Sequence, residues 1–169
     1  MANNLNDISK DHPELVLELC ERWQGTSKSA DWIIKPACRT MLKAGNKRAM
    51  LLFGFGNPKS LHIEKLKLSK KSFKIGEKLR FSFVLNVETK KTCKVRLEYI
   101  VYFSKAGGRT SKKIFQLIEK VYGPGRFELS RHHSFADLST RKHHPGEHRI
   151  SIVVNGVEKA DARFTLRAS

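Results

Sequence analysis

The chain has 169 residues, and its 33 lysines and arginines outnumber its 16 aspartates and glutamates, which gives a formal charge of +17. With 40 % apolar residues and ten phenylalanines, the composition is that of a folded protein and excludes a disordered polyelectrolyte. Three cysteines without the spacing of metal ligands argue against a disulfide framework and predict a reducing, cytoplasmic location. A charge excess of this size predicts a polyanionic partner, with nucleic acid preferred over acidic lipid.

We expect no membrane association. No apolar run approaches the roughly 18 residues that span a bilayer, and the first residues lack the pattern of a signal peptide.

Both the charge and the hydrophobic pattern change near Gly56. Residues 1–56 hold eight lysines and arginines against six acidic residues, whereas residues 57–169 hold 25 against 10. At the same point helical spacing of apolar residues gives way to strict alternation, across a joint rich in glycine. We therefore predict two domains, residues 1–56 and 57–169, in an α+β chain whose helical part precedes an all-β part.

The helical part is predicted to contain an opening stub and three helices. Pro13 suits the first turn of a helix over about 13–24. The second helix is expected to run from a cap at Ser29 to a stop at Gly45, with a kink at Pro36. A third follows over about 46–53. Such a set is typical of the end of a helical repeat array.

The second part shows the period-two alternation of strands with one buried face. About seven strands are predicted, at residues 61–68, 79–87, 95–103, 114–117, 127–129, 150–154 and 162–166. Turn signals separate them, and Asn155-Gly156 is a strong hairpin signal. Seven short strands of this kind favour an immunoglobulin-like sandwich.

Two parts of the sequence resemble one enzyme family. Residues 2–13, together with 31–35 and 37–40, resemble the last repeats of HEAT-like-repeat DNA alkylation-repair glycosylases of the AlkC and AlkD type. Residues 104–113 and 145–149 resemble the immunoglobulin-like domain that follows these repeats in some AlkC-type members. The resemblance implies an alkylpurine DNA glycosylase that hydrolyses the N-glycosidic bond of 3-methyladenine in duplex DNA, without base flipping and without a metal or organic cofactor.

The resemblance also implies a catalytic carboxylate, Asp7, in an asparagine-rich stretch. A carboxylate beside the sugar can stabilise the developing oxocarbenium charge and orient a water molecule. Read from the residues alone, an aspartate such as Asp7 in an asparagine-rich stretch is more often a cap or a solvated polar turn. The other acidic and tryptophan residues of the family's active site should lie upstream of Asn3, so we expect a truncated family member that binds DNA without full activity.

DNA-binding residues are predicted in three basic clusters. The first is a stripe on the second helix that resembles the family's basic concave surface, with an ordinary solvated helix face as the alternative: Lys35, Arg39 and Lys43. The second follows two glycines and offers amides, hydroxyls and cations to phosphate oxygens; it comprises Arg109, Thr110, Ser111, Lys112 and Lys113.

The third cluster interleaves histidines with cations and is predicted to form a DNA-facing edge that gains charge below about pH 6.5. It comprises Arg131, His132, His133, Arg141, Lys142, His143 and His144. We predict no zinc site, because a cysteine partner and a helical His-x-x-x-His pair are both missing from the sequence around it.

Two other classes of function stay open at this stage. One is a non-catalytic nucleic-acid-binding module, and the other is a degenerate fragment or protein-interaction domain whose charge serves solubility. Salt dependence separates them from each other, because about 6–10 phosphate contacts should reduce affinity by roughly 10³ to 10⁵ between about 50 and 200 mM salt. Lesion preference and oligomeric state do not follow from the sequence.

Overall fold

A computed structural model describes residues 1–137 and 142–168 of the chain. The chain divides into two compact units, Met1–Gly56 and Asn57–Ser169. Among the described residues, no helix combines the length and the apolar character needed to cross a bilayer.

The first unit contains five helices within the described residues: α1 (Ala2–Asp11), α2 (Pro13–Trp23), α3 (Lys28–Ala37), α4 (Arg39–Lys43) and α5 (Lys47–Leu52). Pro13 occupies the first turn of α2, where its missing N–H costs no hydrogen bond. The cap of α3 is Ser27, whose hydroxyl accepts the N–H of Ala30 at 3.1 Å. The prediction that Ser29 caps this helix was therefore wrong by half a turn.

The predicted kinked helix is in fact two helices, α3 and α4. Pro36 lies in the last turn of α3, and α4 begins after Cys38. The break leaves the N–H of Thr40 to donate to the side-chain oxygen of Asn6 on α1, at 2.9 Å. Asn6 is 2 % exposed, so this bond ties α1 to the start of α4 inside the unit.

The second unit contains eight strands within the described residues: β1 (Leu61–Leu68), β2 (Ser72–Lys74), β3 (Lys78–Val87), β4 (Cys93–Ser104), β5 (Thr110–Tyr122), β6 (Gly125–Ser134), β7 (Gly146–Val154) and β8 (Val157–Arg167). They form a three-stranded sheet in the order β1-β3-β6 and a five-stranded sheet in the order β2-β8-β7-β4-β5. All pairs are antiparallel except β2 with β8, which are parallel.

Alternation fixes which side of each strand is buried. On β3, Phe81 and Phe83 are buried in the core while Arg80 and Ser82 are exposed. The predicted hairpin signal forms the turn between β7 and β8, where Asn155 and Gly156 both have positive φ, 46° and 80°. This conformation matches the twist of the two strands, which explains the Asn-Gly pair.

The apolar faces of both sheets contribute to a single core cluster, and its fully buried members include Phe73, Phe83, Phe135, Leu97 and Ile152. Aromatic rings from β4 and β6 meet in this cluster, and three histidines lie among them.

Candidate nucleic-acid interface

The hairpin between β4 and β5 carries the second predicted cluster. Ser104 pairs with Thr110, and the N–H of Lys105 donates to the carbonyl of Arg109 at 2.8 Å, which closes a tight turn. Gly107 and Gly108 inside it both have φ near +75°, at 75° and 73°, where a side chain would be strained. The glycines therefore let the chain reverse and bring its cations to the end of the hairpin.

A second segment reaches the same place from the chain that precedes β7. Asp137 accepts the backbone N–H of His143, six residues later, at 2.9 Å. The His143 ring packs on Phe103 and Phe135, with ring centroids 5.6 and 5.2 Å apart. His143 thus anchors the segment in the core, and Lys142 beside it is exposed.

Together the two segments enclose what we call the hairpin pocket, of about 190 Å³. Four lysines, two serines, two histidines and a phenylalanine line it: Lys105, Lys112, Lys113, Lys142, Ser104, Ser111, His143, His144 and Phe103. Within residues 1–137 and 142–168, no carboxylate lines it. Ammonium and hydroxyl groups are donors that suit phosphate oxygens, and Glu158, which lies outside the lining, interacts electrostatically with Lys112.

The hairpin pocket joins members of two predicted clusters that are about 30 residues apart in the sequence. Arg109 and Thr110 are exposed at the turn but do not line the pocket, and Arg141 lies outside the described residues. Lys105 and Ser104 were missed. Their signal was available, since a residue just before a two-glycine turn faces the residue just after it.

Two of the predicted DNA-facing histidines are buried instead. His133 shares a hydrogen bond of 2.9 Å between its Nδ1 and the hydroxyl of Tyr99, and its ring lies 4.8 Å from that of Phe115. Both His133 and His143 are buried and so do not form an exposed edge, although His143 contributes to the lining of the hairpin pocket. Arg131 and His132 are exposed, as expected of that cluster.

A third buried histidine, His148, is held as a neutral ring. Its Nδ1 accepts the N–H of Ser104 at 3.4 Å, so the proton is on Nε2, which donates to the carbonyl of His144 at 3.0 Å. Burial lowers the pKa of His148 below its ordinary value, although the bond to His144 opposes this. The imidazole therefore helps to shape the hairpin pocket without adding charge to it.

Acid should destabilise the chain through His148. The unfolded imidazole binds a proton below about pH 6.5, while the folded one resists it, so stability is complete above that pH and falls as the pH drops. We expect H148Q to show a smaller change in thermal midpoint between about pH 7.5 and pH 5 than the wild type does. Identical pH dependence in both proteins would contradict this assignment.

In the first unit, Asp7 lies on the exposed surface of α1. Its side chain is 68 % exposed and forms an ion pair of 2.7 Å with Lys10. The hydrogen bond and charge of Lys10 hold the pKa of Asp7 below its usual value, and the charge of Arg39 adds to the effect. Asn6, next to Asp7 on α1, accepts the N–H of Thr40, next to Arg39 on α4. This bond holds the two helices together, and the predicted site residues Asp7 and Arg39 interact electrostatically.

The predicted basic stripe is divided by the helix break. Lys35 is half-buried on α3, whereas Arg39 and Lys43 are exposed at the two ends of α4. A continuous helix with the three cations in one row, as the spacing predicted, does not form.

Sequence comparison shows that the chain is similar to YhaZ proteins. A family model described as uncharacterised protein YhaZ, C-terminal Ig-like domain, matches residues 62–168. The YhaZ protein of Bacillus subtilis (strain 168) is 42 % identical over 165 residues, which are 97 % of this chain and 46 % of that protein.

Comparison with solved structures agrees with the sequence comparison. The alkylpurine DNA glycosylase AlkC of Pseudomonas fluorescens, solved bound to DNA containing an abasic site analog, superposes with a TM-score of 0.92 at 36 % identity, over 99 % of this chain and 47 % of AlkC. The chain spans about half the length of both relatives, and the predicted resemblance to AlkC is confirmed. The β-glucosidase EmGH1 of Erythrobacter marinus, with a TM-score of 0.50 at 14 % identity over 64 % of this chain and 15 % of that one, shares the fold alone.

Proposed function

Since the chain belongs to the family with the C-terminal Ig-like domain of YhaZ, and superposes on a DNA glycosylase, we propose that it binds duplex DNA as the C-terminal portion of an alkylpurine DNA glycosylase. In this proposal residues 1–56 are the last helices of a HEAT-like repeat array, and residues 57–169 are a basic immunoglobulin-like domain. The work of the whole protein is excision of alkylated bases such as 3-methyladenine, in the cytoplasm and on the nucleoid, with neither cofactor nor base flipping.

The observation that carries this proposal is the hairpin pocket. Its four lysines converge from two segments with no carboxylate among the described lining residues, which is an arrangement that a phosphate group would stabilise. Arg131 and His132 add exposed donors to the same unit. Contacts of this kind bind the backbone rather than the bases, so the affinity should depend strongly on salt and weakly on sequence.

We further propose that Asp7 contributes the carboxylate to the reaction. Asp7 is ionised at neutral pH, as the lowering of its pKa by Lys10 is consistent with, and an ionised carboxylate can stabilise an oxocarbenium-like transition state. Arg39 and Lys43, exposed on the neighbouring α4, would hold phosphates close to it. Lys10 must release Asp7 when DNA binds, because the two groups are paired in the free chain.

Excision and binding are tested separately. Duplex DNA containing 3-methyladenine is incubated with the chain, with D7N and with D11N, and abasic sites are counted. Asp11 is an exposed carboxylate on the same helix, which makes it the matched control. Loss of excision in D7N but not in D11N supports the role of Asp7. Binding without excision by the wild-type chain would remove the catalytic proposal and leave a non-catalytic DNA-binding module.

That module is the second candidate function, and the exposure of Asp7 favours it. Catalytic carboxylates are commonly found in sheltered sites that exclude water, whereas Asp7 is 68 % exposed and paired with a lysine. Either way the proposal requires salt-sensitive DNA binding, measured by fluorescence anisotropy across a salt series. Weak binding that salt does not change would contradict both candidates.

A further inference from the structure

A β-bulge in β1 rearranges the cations of the three-stranded sheet. Between Glu64, opposite Val84, and Lys67, opposite Ser82, β1 advances by one residue more than β3 does. The bulge places Lys67 on the same face of the sheet as Glu64. Without a bulge, residues three apart on a strand lie on opposite faces. Lys65 inside the bulge has φ of +52°, a left-handed conformation that glycine adopts at lower cost.

On the outer face of this sheet, the bulge places Lys67 next to hydrogen-bond donors of β3 and β6. Lys67 lies opposite Ser82, and Ser82 lies opposite Ser130 on β6. Two residues along β3, on the same face, Arg80 lies opposite His132. Neighbouring strands are about 4.8 Å apart and alternate residues about 6.7 Å apart, so these side chains form a compact grid of cations and hydroxyls.

A groove of about 540 Å³ follows this grid, and we call it the outer groove. Its polar lining comprises Lys67, Arg80, Arg131, His132 and three serines, at positions 69, 82 and 130. A second hollow of about 450 Å³ shares Lys67, Ser82 and Ser130 with it and extends it to Lys65 and to the exposed carboxylate of Glu128. The two hollows therefore form one continuous depression across all three strands.

The two carboxylates on this face, Glu64 and Glu128, lie outside the lining of the 540 Å³ groove. At the far end, Arg126 is neutralised by Glu64 at 2.5 Å. In the described part of the chain, Lys67 and Arg80 form no ion pair, and no carboxylate lines the 540 Å³ groove. The exposed side chains of Lys67, Arg80, Ser82 and His132 show that solvent reaches the groove.

We propose that the outer groove is a second binding surface for the phosphate backbone of duplex DNA, separate from the hairpin pocket. The proposal rests on the DNA binding proposed above and extends it to residues that no comparison assigns. An arginine fork, a lysine and three hydroxyls suit phosphodiester oxygens, which accept several hydrogen bonds and carry the opposite charge. The bulge in β1 brings Lys67 to the groove, because it places this residue opposite Ser82.

The test is a charge reversal, K67E/R80E, in the full chain, with duplex DNA binding measured across a salt series. Two lost phosphate contacts should lower the slope of log K against log salt by about 1.8 and weaken binding roughly 60-fold at about 0.1 M salt. The control K90E/K91E makes the same change in net charge at two exposed lysines in the loop before β4. An effect no larger than that of the control overturns the proposal.

Combination with a hairpin-pocket variant separates this proposal from the proposed function. If the two surfaces act independently, the losses in log K of K67E/R80E and of K113E/K142E add in the quadruple variant. If K113E/K142E abolishes binding and K67E/R80E matches its control, the outer groove is excluded while DNA binding stands. If K67E/R80E weakens binding of a polyglutamate peptide but not of DNA, the groove binds an acidic protein and the proposal is wrong. Thermal midpoints of all variants confirm that each is folded.

Discussion

The variant K105E/K113E/K142E is expected to bind duplex DNA about 500-fold more weakly than the wild type at about 0.1 M salt. Each lysine that neutralises a phosphate contributes about 0.9 to the salt slope, so three lost contacts remove about 2.7 decades of affinity at that concentration. The three lysines belong to β4–β5 and to the segment before β7, and they line the hairpin pocket together. The measurement is a salt titration of binding to several unrelated duplexes.

A matched control distinguishes the pocket from net charge. K59E/K90E/K91E reverses three exposed lysines next to the start of β1 and of β4, away from the hairpin. It should lose much less affinity than the pocket variant, and its salt slope should stay close to that of the wild type. If both variants lose affinity equally, DNA binds through diffuse charge and the hairpin pocket has no special part in it.

The second large effect concerns stability. Truncation of Glu98 in E98A is expected to reduce the free energy of unfolding by about 3–5 kcal/mol, because it leaves Arg96 buried without its main counter-ion. Glu98 is 0 % and Arg96 4 % exposed, and their charged groups are 2.7 Å apart on the same side of β4. Glu119 on β5 also contacts Arg96, at 3.4 Å, but it is shared with Lys94 at 3.3 Å and so compensates Arg96 only in part. Urea unfolding followed by circular dichroism measures the loss.

Replacing both partners should have the opposite outcome. Among the described residues, Nε of Arg96 and Oε2 of Glu98 have no hydrogen-bond partner, so the pair does not recover all that its burial costs. We therefore expect R96M/E98L to be at least as stable as the wild type and to bind DNA normally. A double variant as unstable as E98A would show that the ion pair itself determines stability, and not the unpaired charge of Arg96 that E98A leaves.

Alternation predicted β3 well because buried and exposed residues alternate along it, and it predicted β4 through the polarity of Arg96 and Glu98, although both faces of β4 are buried. On β3 and β4 each inward residue is apolar over most of the strand, and no bulge interrupts the pattern of β3 with β6. β5 is longer than predicted at both ends. Its first residues, Thr110 to Lys113, are polar at a sheet edge, and a bulge between Gln116 and Ile118 shifts the alternation before its last residues. β2 has three residues and pairs in parallel with β8, which lies about 90 residues later in the chain, so nothing local to it could reveal the pairing.

The site was predictable in composition but not in arrangement. The glycines at 107 and 108 identified the hairpin, because a reversal so tight needs positive φ. The histidines misled, since a polar residue next to lysine or arginine is usually exposed, whereas His133 and His143 are buried by rings from β4 and from Phe135. The orientation of Lys67 could not be predicted from the sequence pattern, because the bulge that sets it depends on the pairing of β1 with β3.

Lysines and arginines of the proposed DNA-binding surfaces also lie on edge strands of the two sheets. β5 and β6 are edge strands, and they carry lysines and arginines that include Lys112, Lys113 and Arg131. The edge strand β1 has its bulge and two lysines, and β2 is only three residues long. Unpaired strand edges promote aggregation, and like charges, bulges and short strands are the usual defences against it. Neutral substitutions at these lysines would therefore risk self-association.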